Sequence, residues 1–196
     1  MKRILILDNY DSFTYNLVHY VKEFDKVHVD VCRNDKIRLE EIEKYDGIIL
    51  SPGPGVPAEA GMLKEIIRHF HTSKPIFGVC LGQQAIAEVF GGRLINLSKV
   101  HHGVATEIRI NQPPHYLFDG LHPRIQAGRY HSWAVDPEGF PSCLEVLSED
   151  LNGEIMALCH KDYDVCGVQF HPESILTPQG KKIVFNWLDK LQTKQT

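Results

Sequence analysis

The sequence predicts an α/β fold: an open, mostly parallel sheet with helices on both faces and an antiparallel extension in the C-terminal half. Three observations carry that expectation. Short apolar runs alternate with stretches of helical period through the first half, the order that produces parallel strands joined by crossover helices. In the second half, strand-like runs follow one another with only turns between them. The chain has 196 residues, 43% of them hydrophobic, enough to bury one core, so residues 1–196 are read as one domain.

Residues 3–7 form an apolar run suited to a buried strand. Asp11 or Ser12 is placed to cap the next helix, on which Phe13, Leu17, Tyr20, Val21 and Phe24 share a face. Residues 27–31 alternate as a strand. Residues 48–50 form a third, which ends at Ser51-Pro-Gly-Pro-Gly-Val-Pro57. A helix follows with Leu63, Ile66, Ile67 and Phe70 on one stripe. Residues 75–79 form the next strand, and the helix after it runs to Phe90, where Gly91-Gly92 stops it. Beyond that point residues 104–110, 144–147, 155–160 and 165–170 read as strands. Thr177-Pro178 opens a last helix as N-cap and first helical residue, with a core face of Ile183, Val184, Trp187, Leu188 and Leu191. The polar end, residues 192–196, is expected to be unstructured.

The bulk properties narrow the function. A net charge of −4 and a pI near 6.2 suggest neither a nucleic-acid nor an anionic-membrane partner. No apolar stretch is long enough to span a bilayer, and the N-terminal run lacks the features of a secretion signal, so a cytoplasmic location is the default. Five cysteines with no C-x-x-C spacing argue against both a disulfide framework and a structural zinc site. The pairs His69/His71 and His101/His102 are read as surface or packing residues. No metal and no cofactor is expected.

The sharpest chemical feature is Gly78-Val79-Cys80-Leu81-Gly82, where a buried strand meets a helix. It is the cysteine form of the G-x-S-x-G nucleophile elbow, whose tight turn requires small flanking residues. A helix N-terminus behind the sulfur favours the thiolate, and the Leu81 amide points to where an oxyanion would form. Alone, the elbow fits catalysis and a buried cysteine in a Gly-rich turn equally well. A base must come from elsewhere in the chain. His171-Pro172-Glu173 follows the strand-like residues 165–170. If that strand runs parallel to residues 75–79, His171 and Cys80 emerge at the same edge, with Glu173 close enough to fix the imidazole tautomer. The loop at residues 51–57, stiffened by three prolines, can offer rigid amides to an oxyanion or a carboxylate. A phosphate loop fits poorly there, because Pro52 and Pro54 remove amides and no Gly-Lys-Ser/Thr follows. Arg129-Tyr-His-Ser-Trp133 carries no reading from spacing alone.

Taken together, Asp8-Asn-Tyr-Asp-Ser-Phe-Thr-Tyr-Asn16, Ser51-Pro-Gly-Pro-Gly55, Gly78-Val-Cys-Leu-Gly-Gln-Gln84, Arg129-Tyr-His-Ser132 and Gln169-Phe-His-Pro-Glu-Ser174 resemble, in order, the class I glutamine amidotransferases. The first of these motifs points to the branch of anthranilate synthase component II and aminodeoxychorismate synthase component II. The resemblance implies a flavodoxin-like sheet and a triad of Cys80 as nucleophile, His171 as base and Glu173 as its orienting group. It further implies an oxyanion hole from the Gly53 and Leu81 amides. Substrate glutamine would meet Gly53, Pro54, Gly55, Gln84, Ser132 and Trp133. It implies a protein partner, a chorismate-using component I in a hetero-oligomer that receives the ammonia, with anthranilate synthesis preferred over the folate branch. Two positions depart from the pattern: Val104 stands where many relatives carry Lys, and Trp133 where Leu is commoner. Two other readings compete. One is a free-standing cysteine hydrolase. The other is a flavodoxin-like electron carrier, disfavoured because Asp8 and Asp11 would repel a phosphate in the first loop.

Overall fold

A computed structural model describes residues 1–193 and opens with strand β1 (Lys2–Asp8), which is flanked by β2 (Val27–Arg33) and β3 (Gly47–Leu50), both parallel to it. The next strand, β4 (Ile76–Val79), is parallel to β3, and β11 (Val165–Val168) is parallel to β4. These five form the parallel half. The sheet continues antiparallel through β10 (Ile155–His160), β9 (Leu144–Asp150), β6 (Val104–Ile110) and β7 (Arg124–Arg129). The order across the sheet is therefore β2-β1-β3-β4-β11-β10-β9-β6-β7. The expected parallel sheet with an antiparallel extension is what the chain builds.

The strands of the parallel half are continuous apolar runs because both faces are covered. Ile4 and Ile6 pack on one face with Leu17 and Val21 of α1 (Thr14–Glu23) and Ile183, Val184 and Trp187 of α5 (Gly180–Thr193). Leu5 and Leu7 pack on the other with Leu63, Ile66, Ile67 and Phe70 of α3 (Leu63–Phe70) and Ile86 of α4 (Leu81–Val89). Between β2 and β3 lies a single turn of helix, α2 (Leu39–Ile42). A second sheet of two strands, β5 (Leu94–Asn96) and β8 (Trp133–Val135), stands apart from the main one.

Three local expectations need correction. Neither Asp11 nor Ser12 caps α1, which starts at Thr14 with no side-chain cap. The Asp8 carboxylate instead accepts from the Tyr10 amide (2.9 Å) and the Thr14 hydroxyl (3.0 Å), and Asp11 accepts from the Phe13 amide (2.8 Å). The extra turn at residues 10–13 is held by these bonds and needs a positive φ of 64° at Tyr10. Thr177 does not cap α5, which starts three residues later. Its hydroxyl donates to the His171 carbonyl (2.7 Å) and accepts from the Gly128 amide (2.9 Å). Gln192 and Thr193 complete α5, so the expectation of an unstructured end fails for them, and residues 194–196 lie outside the described residues. Among the described residues, no helix is long and apolar enough to cross a membrane.

The approach of α4 to the sheet depends on missing side chains. Gly167 of β11 sits between Gly78 and Leu158 of its neighbours, and a Cβ there would lie 2.9 Å from both Gln83 Cβ and the Gly78 carbonyl oxygen. Gly167→Ala is expected to cost about 1–3 kcal/mol by overpacking, read as a lower urea midpoint at unchanged slope. An unchanged midpoint would mean that α4 can lift off the sheet freely.

Candidate active site

Cys80 stands between β4 and α4 with φ 52° and ψ −101°, a conformation that L-residues rarely adopt. Its neighbours allow the bend. A Cβ on Gly78 would come within 2.5 Å of the Gly82 carbonyl carbon, and one on Gly82 within 2.6 Å of the Leu50 carbonyl oxygen. Backbone bonds hold the turn on both sides: the Cys80 amide donates to Val168 (2.8 Å), and its carbonyl accepts from Gln84 (3.1 Å). This is the strained elbow that the Gly-x-Cys-x-Gly pattern implies.

Because β11 runs parallel to β4 with Val168 beside Val79, the residues after each strand leave the sheet at the same edge. Gln169 donates from Nε2 to the Cys80 sulfur at 3.5 Å. His171 follows, 2% exposed, with its ring between Phe13 and Tyr130 at centroid distances of 5.6 and 4.8 Å. Its backbone is tied to β7 by the amide bond to Gly128 (2.9 Å) and by the Thr177 hydroxyl. Glu173 Oε1 lies 2.6 Å from His171 Nδ1. The opposite ring nitrogen, Nε2, is buried and makes no hydrogen bond of ordinary geometry among the described residues. Burial opposes a charged ring, but the Cys80 side chain and the Glu173 carboxylate outweigh it and hold His171 well above the usual imidazole value.

Cys80 opens into a cleft of about 260 Å³, the scale of a small metabolite rather than a drug-sized ligand. Gly53, Pro54, Gly55, Gln84, Ser132 and Trp133, each expected to meet substrate, all line it. The loop carrying Gly53 is immobilised from below. Asn9 donates from its amide to Ser51 Oγ (2.9 Å) and from Nδ2 to the Ser51 carbonyl (2.8 Å), while Asn34 donates to Asn9 Oδ1 (3.0 Å). Gly53 lies so close to Asn9 and Leu81 that a Cβ would come within 2.6–2.7 Å of both. Leu81 directs its side chain into the core, so only its backbone is available to the cleft. Gln84 uses both amide hydrogens inside the protein, on the Trp133 carbonyl (2.9 Å) and on Gln169 Oε1 (3.1 Å). What remains for a ligand is its carbonyl oxygen.

Several participants carry little or no signal in the sequence. Gln169 links the sulfur to Gln84, and its place two residues before His171 at a strand end is the one available sign. Asn9 and Thr177 act through backbone groups and leave none. His101 and His131, to which the sequence assigns no chemical role, stack at 5.1 Å beside the cleft. Among the described residues, no group of three or more His, Cys, Asp or Glu side chains is placed to hold a metal ion. An imidazole-assisted thiol at the floor of a small polar cleft, with rigid amides beside it, is equipped for acyl transfer.

The chain matches the family model described as Glutamine amidotransferase class-I over residues 5–191. It is 48% identical over 188 residues to the aminodeoxychorismate/anthranilate synthase component 2 of Bacillus subtilis (strain 168), covering 95% of each chain. It is 44% identical over 192 residues to the bifunctional protein TrpGD of Thermotoga maritima, covering 96% of this chain but only 32% of that longer protein. Among solved structures, a putative GMP synthase protein from Thermoplasma acidophilum shares the fold with a TM-score of 0.88 at 24% identity, covering 98% of this chain and 95% of the other.

The five cysteines differ in setting. Cys166 is fully buried with its thiol pushed up by burial, Cys159 is pushed up to about 11 chiefly by burial, and Cys32 is raised for the same reason. With limiting iodoacetamide at neutral pH, Cys80 is expected to be alkylated before Cys32, Cys159 and Cys166. Peptide mapping by mass spectrometry checks the order. Faster modification of any of those three would contradict the reactivity that the elbow geometry implies.

Proposed function

The chain belongs to the class-I glutamine amidotransferases, and on that premise we propose that it is the glutamine-hydrolysing component II of anthranilate synthase, delivering ammonia to a chorismate-using component I. The observation that carries the mechanism is Cys80 at the floor of the cleft, strained into its elbow, with the His171–Glu173 pair beside it. The Cys80 thiolate attacks the side-chain amide carbon of glutamine. The developing oxyanion is met by the backbone amides of Gly53 and Leu81. His171 Nε2 donates its proton to the leaving nitrogen, because ammonia departs far more readily than an amide anion. The γ-glutamyl thioester is then cleaved by a water that His171 deprotonates, releasing glutamate and restoring the thiol. Glu173 orients the ring and stabilises its charged form through both steps.

Ammonia released into bulk water would be protonated and lose its nucleophilicity, so a partner seated over the cleft is part of this reading. The rim supports it. Val100 and Val104 are exposed apolar residues beside or near the cleft, and Ile175, two residues past Glu173, is 92% exposed. Exposed apolar side chains gathered near a reactive mouth suit a protein partner better than solvent. The Val104 departure from the commoner Lys makes that contact apolar here. The hetero-oligomer is taken to be cytoplasmic, with residues 1–196 acting as one amidotransferase domain. A second reading is component II of aminodeoxychorismate synthase, or one chain shared by both enzymes. It is favoured by the Bacillus subtilis relative, whose name joins the two.

The test is steady-state glutamine hydrolysis by the lone chain, then with each component I in turn and chorismate. The expected result is weak activity alone, raised by the cognate partner, and the partner that raises it identifies the branch. Cys80→Ser is expected to abolish turnover with the fold and partner binding retained. His171→Ala should lose roughly 10²- to 10⁴-fold, the usual contribution of a general acid–base, and Glu173→Gln should lose less. Full activity alone, unchanged by either partner, would favour the free-standing hydrolase.

A further inference from the structure

We propose that Arg129 and His131 are positioning residues for the amino-acid end of glutamine, locking the peptide planes of Ser132 and Trp133 through a buried chain of directed hydrogen bonds. The inference rests on the glutaminase reading and adds to it a pair of residues that never touch the reacting atoms.

Arg129 is 1% exposed, at the end of β7, and its guanidinium is shared three ways. Nη1 donates to Asp150 Oδ2 at 2.7 Å, Nη2 donates to the Glu154 carboxylate, and Nε donates to His131 Nε2 at 3.0 Å. A guanidinium has donors only and does not deprotonate in proteins. His131 Nε2 must therefore present its lone pair, which leaves the ring proton on Nδ1. From there it donates to the Trp133 carbonyl at 2.8 Å. The tautomer is thus dictated by Arg129 and read out at Trp133. Burial and the adjacent guanidinium push the His131 value down to about 3, and the His101 and His171 rings add to the same effect. The ring stays neutral at any pH at which the protein would work.

The consequence falls on the cleft wall. The Trp133 carbonyl also accepts from Gln84 Nε2 at 2.9 Å, so both of its lone pairs are taken. The Ser132 carbonyl accepts from Leu97 (2.8 Å), and the His131 carbonyl from His101 (2.9 Å). Three successive carbonyls are bound within the protein, and the peptide planes between them cannot turn. What this wall then offers a ligand is amide hydrogens and the Ser132 hydroxyl, groups that suit an α-carboxylate. Asp150 and Glu154 anchor the arrangement. Burial would raise Asp150, but the Glu154 and Asn152 amides and the Arg129 guanidinium hold it below the usual carboxylate range.

Three substitutions separate the bonds. Asn at 131 can place a donor near the old Nδ1, Gln can place an acceptor near the old Nε2, and Ala removes both. His131→Ala and His131→Gln are expected to raise KM for glutamine about tenfold, the effect of losing one directed hydrogen bond, with kcat within about threefold. His131→Asn should return KM to within about threefold of wild type. The rate of Cys80 alkylation by iodoacetamide, which lacks an amino-acid end, should be the same in all four proteins. By ¹⁵N NMR, the wild-type His131 ring should show a single neutral Nδ1–H form from pH 8 to pH 5. A protonated ring or the Nε2–H form in that range would overturn the proposal. So would folded Ala and Gln variants with wild-type KM, or an Asn variant no better than Gln. If His131→Ala does not fold, the Asn–Gln comparison decides. A wild-type chain that turns over no glutamine, alone or with partner, would sink the glutaminase reading itself; turnover with an unmoved KM sinks only the positioning role.

Discussion

The register between β4 and β11 is the constraint on which the rest of the site depends. Val79 lies beside Val168, so Cys80 and Gln169 step off the sheet together, and His171 arrives within reach of the sulfur from about ninety residues away. A slip of one residue would turn every β11 side chain to the opposite face and carry the histidine with it. Glycine secures the register from two sides. Gly78 and Gly167 are paired across the strands, and both make room for the first turn of α4. Tight packing here is what permits the positive φ at Cys80, since strain of that kind persists only where its surroundings over-determine it.

Two buried histidines near the cleft show how neighbours decide charge when burial alone would give the same answer. Burial lowers both. At His171 the Glu173 carboxylate and the Cys80 side chain reverse that effect, and the ring holds its proton well above the ordinary range. At His131 the nearest partner is a guanidinium, which adds to burial and takes the ring down to about 3. One imidazole is suited to accept and release protons while the other serves as a fixed dipole. The main sheet contributes both, His171 after its parallel half and His131 after the antiparallel edge, so the extension supplies a wall of the cleft as well as covering the core.

Much of this is legible in the residues alone. Residues of β1, β3, β4 and β10 are uninterrupted apolar runs, and α3 and α5 carry clean stripes, so composition and period agree. The elbow and the His-Pro-Glu segment are local in sequence, and pairing them needs only a parallel sheet. The pieces that are not legible are those whose meaning lies in distant contacts. β5 and β8 are three residues each and exist because they pair with each other. β7 reads Arg-Ile-Gln-Ala-Gly-Arg, and its buried positions include small residues and a charge whose partners, Asp150 and Glu154, come from the β9–β10 turn. Thr177 looks like a helix cap because Thr-Pro is a common way to start one, and the His171 carbonyl claims its hydroxyl instead. Gln84 lies in the cleft as expected, but the orientation of its amide follows from Trp133 and Gln169, neither of which is near it in the chain.

The distance along the chain between nucleophile and base also has a meaning in time. β4 is flanked by β3 on one side and β11 on the other, and β11 is the last strand to be synthesised. At roughly 5–20 residues per second, a ribosome takes on the order of 5–20 seconds to travel from Cys80 to His171. Throughout that interval the nascent chain carries a half-finished sheet with the β4 edge open and a thiol that has no imidazole beside it. The enzyme cannot switch on piecemeal: the step that seals the exposed edge is the step that arms the sulfur, so catalytic competence arrives together with protection from strand-to-strand aggregation.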